Sequence, residues 1–171
     1  MNFMSLITPI AEQLRSLPPE VATMLIAMIP IGELRAAIPL GVTLYKLPIF
    51  SSLIWSIIGN MIPVYFILIA FEKVSQFLRA HSTHADKFFT WLFERTRKKL
   101  ENNIVRYGAF ALALFVAVPL PVTGAWTGTL AAFVFGINKK KAFFAILLGV
   151  IAAGIIVSTL TFGGQALFRA L

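Results

Sequence analysis

Pro30-Ile-Gly-Glu33-Leu-Arg35-Ala-Ala-Ile-Pro39-Leu-Gly41 places a carboxylate and a guanidinium between two prolines in the middle of an apolar region. Val21–Ile29 before it and Ala36–Tyr45 after it are almost wholly apolar. Neither leg has the roughly 20 residues that a helix needs to cross a bilayer. The stretch therefore reads as a hairpin that enters the membrane and turns back. Ionisable groups at that depth cost about 2.5–3.5 kcal/mol each on insertion scales, so Glu33 and Arg35 read as a functional pair facing protein or water. The structural alternative is an ion pair that neutralises itself and pins the loop.

The surrounding composition demands a membrane. Of 171 residues, 58% are hydrophobic and only 13% charged, with a mean hydropathy of +0.86; soluble chains carry about 25% charged residues. The length suits one membrane domain spanning residues 1–171. A net charge of +8 arises from basic blocks between apolar segments, a pattern that fits membrane topology and not a nucleic-acid partner. The absence of cysteine excludes disulfides, thiolate catalysis and cysteine-ligated metals. Met1–Ile10 lacks a basic leader and is broken by Pro9, so it does not read as a cleaved signal peptide.

Outward from the hairpin, Phe3, Ile7, Ile10, Leu14 and Leu17 recur at spacings of three and four, which predicts an interfacial amphipathic helix. Pro18-Pro19-Glu20 opens the entering leg. After Lys46 and Pro48 no charge occurs until Glu72, so residues 47–71 can cross the bilayer, with a bend expected around Gly59, Asn60 and Pro63. Residues 73–106 form a basic amphipathic linker. Its stripe of Phe89, Leu92, Phe93, Leu100 and Ile104 opposes Glu94, Arg97, Lys98 and Glu101. His81 and His84, with Asp86 nearby, have a spacing that metal ligands can use, but in a solvated linker they read as ordinary surface histidines; no metal site is expected.

A second broken apolar segment follows: Pro119-Leu-Pro121-Val-Thr123-Gly124-Ala-Trp126-Thr127-Gly128 sits between half-length legs Ala109–Val118 and Thr129–Ile137. Lys139-Lys140-Lys141 then precede an uncharged stretch of crossing length, Ala142–Phe168. The halves share one plan. Pro30 lies 89 residues before Pro119, Gly59 lies 90 before Gly149, and Ala22, Leu25 and Ala36 fall over Ala111, Leu114 and Ala125. The predicted fold is an all-α integral membrane protein built from two inverted repeats, about 18–72 and about 107–171, each a re-entrant helical hairpin followed by one transmembrane helix. A re-entrant second hairpin puts Lys139–Lys141 on the same side as linker 73–106; a full crossing would separate them. The positive-inside rule favours the hairpin and makes that side cytoplasmic.

In such hairpins the returning helices begin near mid-membrane, where unpaired N–H groups and the positive dipole end attract anions. Thr123 is a candidate N-cap, and Thr123, Thr127 and Trp126 are candidate substrate contacts. Arg35 offers a fork for phosphate or carboxylate. Glu33 is the one acid at the tip of either hairpin, Glu20 lying at the entrance of the first; burial favours its neutral form unless Arg35 compensates, so it is a candidate proton carrier. Pro30, Gly32, Pro39, Pro119, Pro121, Gly124 and Gly128 are expected to shape the turns.

The two quoted strings resemble the signature motifs of the prokaryotic family of small multidrug export proteins, and the resemblance covers most of the chain. More distantly the plan is similar to the DedA and VTT-domain membrane proteins, which include undecaprenyl phosphate flippases and lipid scramblases. There Glu33 resembles the membrane-embedded acid. The second DedA motif has arginines three residues before and after a proline. Around Pro119 this chain has Val116 and Val122 instead, so phosphate binding by the second hairpin does not follow. What the resemblance implies is an architecture, multi-pass in the cytoplasmic (inner) membrane, and a short list of substrates. With no cysteine, no histidine outside the linker and no second membrane acid near Glu33, neither an enzyme nor a cofactor is expected. The leading expectation is a proton-coupled flippase for an anionic amphiphile such as a polyprenyl phosphate. The alternatives are a proton-coupled multidrug exporter and a non-transporting scaffold. With two full crossings per chain, a homodimer or other homo-oligomer is expected.

Overall fold

A computed structural model describes residues 3–83, 86–87, 90–91, 104–119 and 123–170, and all regular structure among them is helical. Short helices alternate with two long ones: α1 (Phe3–Gln13), α2 (Pro19–Met28), α3 (Glu33–Thr43), α4 (Ile49–His81), α5 (Ile104–Ala117), α6 (Ala125–Val134) and α7 (Lys139–Ala170), with a 3-10 turn at Leu14–Ser16. Within α4 and α7, Ile49–Ala70 and Lys139–Gly163 are apolar runs of 22 and 25 residues. At 1.5 Å per residue each exceeds the roughly 30 Å hydrocarbon layer. Only 33% and 39% of their most apolar windows are buried in the protein. Phe50, Phe66, Phe144, Leu148 and Leu160 point outward, each at least 61% exposed. A soluble core helix would hide such side chains; faces like these suit lipid or another membrane helix.

The 10 residues of α2 and 11 of α3 make helices about 15 Å long, half a bilayer, and α6 matches them with 10. Pro39 lies within α3 and not at its end, and the Thr43 hydroxyl donates to its carbonyl at 2.7 Å. Pro30 is exposed in the turn between α2 and α3, while Gly32 caps α3 and leaves no room for a methyl against Ile7 Cδ1. Pro121 and His84, and the linker from 92 to 103, lie outside the described residues. Where the linker was expected to begin, α4 continues through Lys73 to His81. It also runs through Pro63 without interruption.

Helices α4 and α7 pack together, α3 and α6 each touch both, α2 covers α4, and α5 covers α7. Exchanging α2, α3 and α4 for α5, α6 and α7 leaves this set of pairings unchanged. Leu53 lies against Gly154 and Tyr65 against Phe143, so the long helices run antiparallel. The matched glycines do matched work. A Cβ on Gly59 would strike the Met24 carbonyl and Ala27, and one on Gly149 would strike the Ala113 carbonyl and Val116. Met24 and Ala27 lie 89 residues before Ala113 and Val116. The absent side chain lets backbones approach closely, which is how helices associate where lipid is as apolar as leucine.

The N-terminal helix is less peripheral than its pattern implies. Ile7 and Ala11 are buried against α2 and α3, and the Tyr45 hydroxyl donates to the Ala11 carbonyl at 2.6 Å. Ile10 and Leu17, assigned to the apolar face, are exposed, and Ala11 fills the position facing the protein.

Candidate functional site

Glu33 begins α3 with φ +47, in the left-handed region that non-glycine residues rarely adopt. Such a conformation costs on the order of 1–3 kcal/mol and persists only where its surroundings enforce it. Side chains two residues apart diverge on a regular helix. The unusual turn at Glu33 re-aims its carboxylate so that Arg35 Nη2 donates to Oε2 at 3.2 Å. Glu33 is 4% exposed.

The same carboxylate reaches the other hairpin. Oε1 accepts the backbone N–H of Trp126 at 3.3 Å, and Arg35 Nη2 also donates to the Thr123 carbonyl. Trp126 is the second residue of α6, so Glu33 supplies the anionic cap for a helix that begins some 90 positions later. An acid at a helix start complements the positive dipole end and contributes roughly 0.3–2 kcal/mol, with the larger values in buried sites. The two turns are thus tied by one acid, one guanidinium and main-chain groups.

Gly124 makes this approach possible. It is the N-cap of α6, with φ +146, and a Cβ there would fall on the Glu33 carboxylate. The N-cap role assigned to Thr123 is therefore corrected: its hydroxyl instead donates to the Val118 carbonyl at 2.7 Å. Thr127 turns inward too, donating to the Gly124 carbonyl at 3.2 Å. Trp126 contributes its main chain to Glu33, while its indole Nε1 is buried without a hydrogen-bond partner. Gly128 faces Val116, where a side chain would not fit. Pro119 lines the small cavity beside Glu33, Arg35 and Gly124.

One residue of this site was read from the sequence only as part of a bend. Asn60 lines the cavity from α4, is 0% exposed, and has no partner for either its side-chain oxygen or nitrogen. Ser56, one turn earlier, is also fully buried and unpartnered. An unsatisfied buried polar group costs about 1–3 kcal/mol. The available signal was the spacing Ser52, Ser56, Asn60, which puts three polar residues on one face of an uncharged crossing helix.

A second cavity, of about 580 Å³, opens between α5 and α6 and is lined by Tyr107, Leu112, Phe115, Ala131, Phe135 and Ile137 among others. Its size falls in the range of small-molecule sites, and its walls are almost wholly apolar.

Comparison with known proteins gives one assignment. A family model described as "Putative small multi-drug export protein" matches residues 33–156, well over half of the chain, from the capping acid into the middle of α7. No curated protein and no solved structure gives a significant match.

Proposed function

The chain belongs to the small multi-drug export protein family, and from that premise we propose that it is a proton-coupled membrane transporter whose lock is the Glu33 carboxylate between two re-entrant hairpin tips. The observation that carries this reading is the double engagement of Glu33, with Arg35 on its own hairpin and with the start of α6 on the other. Half-length helices, antiparallel long helices and a common set of pairings support an inverted repeat in which the hairpins enter from opposite faces.

A charged Glu33 fills a site suited to an anion. Protonation removes the negative charge, weakens the bond to Arg35 and the hold on the α6 dipole, and frees both cationic features for an anionic group of the substrate. Proton gain and anion binding then favour one another by linkage. The apolar cavity between α5 and α6 suits the hydrophobic portion of the same molecule. The preferred substrate is an anionic amphiphile, of which a polyprenyl phosphate is one example. The family description supports a second reading, multidrug export; if the drug is a cation, it replaces Arg35 as the partner of Glu33. Since the tip cavity is small and the apolar helix faces are exposed, we place the translocation route in a homo-oligomer within the cytoplasmic membrane, with Lys139–Lys141 on the cytoplasmic face.

Reconstituted vesicles under an imposed pH gradient test both readings, with a fluorescent short-chain polyprenyl phosphate in one arm and ethidium in the other. Wild-type protein is expected to move the anionic probe at least tenfold faster than empty vesicles, and Glu33→Gln to remove the dependence on the gradient. Gradient-driven transport by Glu33→Gln at the wild-type rate would overturn proton coupling through this residue. Movement of ethidium alone would replace the first substrate class with the second.

A further inference from the structure

The buried faces of α4 and α7 correspond position for position at an offset of 90 residues, yet differ in chemistry. Ser52, Ser56 and Asn60 on α4 fall over Ala142, Ile146 and Val150 on α7, and all six are 0% exposed. One half of the molecule therefore carries a polar track where the other carries an apolar one. Ser52, nearest the start of α4, is satisfied by donating to the Ile38 carbonyl at 3.0 Å, and Thr23 beside it donates to the Pro19 carbonyl at 2.7 Å. Ser56 and Asn60, deeper along the helix, have no partners. At the deep end Asn60 faces the cavity that also touches Glu33, Arg35 and Gly124, and that cavity has room for about one water molecule.

Polar side chains buried in a membrane helix need partners, and neighbouring protein does not supply them here. Water fits the requirement, since one molecule can both donate to the Asn60 oxygen and accept from its nitrogen, and residues four apart on a helix lie about 6 Å apart, a gap that a single water bridges. We propose that Ser56 and Asn60 hold an ordered water chain that links Glu33 to the face at which α4 begins, giving the carboxylate proton access from that face only. Thr23 and Ser52 form its outer end, close to residues 43–48. From Ser52 to Asn60 the track climbs about 12 Å, which spans the outer half of a bilayer. Arg35 is the charged side chain that faces Glu33 at the inner end, and the matched positions on α7 offer a water chain no donor or acceptor. The conducting role of the chain rests on the proton-coupled reading above; its hydration and its sidedness do not.

Two measurements test it without a transport substrate. In isotopically labelled protein in lipid bilayers, magnetisation transferred from water within a few milliseconds is expected to reach the Asn60 side-chain amide and Ser56, the amide being identified by its loss in Asn60→Leu. Ile146 should stay dark. A silent Asn60 amide would overturn the site. Because the chain lacks cysteine, Ser56→Cys and Ile146→Cys each provide a single thiol for silver ion, a probe little larger than water. In sealed vesicles of opposite orientation, silver should block Cys at position 56 at least tenfold faster from the face of residues 43–48, and should block position 146 from neither face. Equal reaction from both faces, or none, would overturn one-sided access. Failure of the coupling reading is seen separately, as gradient-dependent transport that survives Glu33→Gln.

Discussion

The two halves of this protein share a skeleton and divide the chemistry unequally. In each, a half-length hairpin packs on a long helix through a glycine whose missing side chain admits a carbonyl, Gly59 against Met24 and Gly149 against Ala113. The first half carries the acid, the guanidinium and the buried Ser52, Ser56 and Asn60. The second contributes main-chain groups: the Thr123 carbonyl, the Trp126 N–H and the vacant α-carbon face of Gly124. Two halves alike in packing thus differ in what they bring, one side chains and the other backbone. The site exists only where they meet.

The largest expected effect attacks that meeting point. Glu33→Leu leaves Arg35 without its acid and α6 without its cap. Breaking one partner of a fully buried pair costs about 3–5 kcal/mol; with Arg35 about one-fifth exposed, the loss is expected at the lower end of that range, to be read as a lowered unfolding midpoint in mild detergent. Adding Arg35→Met is expected to recover most of the stability but none of the transport; a double variant that transports normally would reduce the pair to scaffolding. Next in size is Gly124→Ala, which forces a methyl onto the carboxylate at a positive φ and should cost about 2–3 kcal/mol. Gly163→Ala, with nothing within 4 Å of its added methyl, serves as the neutral reference in the same denaturation series.

The shared skeleton makes its own prediction. Gly59→Ala and Gly149→Ala press a methyl against equivalent carbonyls, so each is expected to cost about 1–3 kcal/mol, and the two losses to agree within about 1 kcal/mol. A large loss for one and none for the other would dissolve the equivalence. The smallest effect sharpens the contrast instead. Asn60→Leu removes the unpartnered amide together with any water it holds, so stability should change by less than about 1 kcal/mol. Gradient-driven flux should nevertheless fall, and unaltered flux would detach Asn60 from the site.

Much of this was legible in the chain. Pro30, Gly32 and the short apolar legs announced a turn because a helix of that length cannot span a bilayer, and uncharged residues 47–71 announced a crossing because charge is costly there. Thr123 misled: its type and place suit a cap, but capping depends on which acceptor sits nearest the helix start, and Glu33 arrives from the other hairpin. Asn60 was overlooked as a site residue since one amide in an apolar helix reveals nothing of what it faces. The short N-terminal helix was read as interfacial from its apolar spacing, which did not disclose that Tyr45 and the Ile7 contact join it to the first hairpin.

By itself the sequence determined the environment and the segments, since apolar length, proline position and the distribution of basic residues act locally and through bilayer thickness. It also singled out Glu33 and Arg35 by their expense. Only the tertiary structure decided what those charges touch, because beyond each other their partners lie about 90 residues away and are backbone groups, which leave no mark in residue identity. A left-handed turn at Glu33, a glycine opposite it and an amide on a third helix become a site by juxtaposition, and juxtaposition is a property of packing.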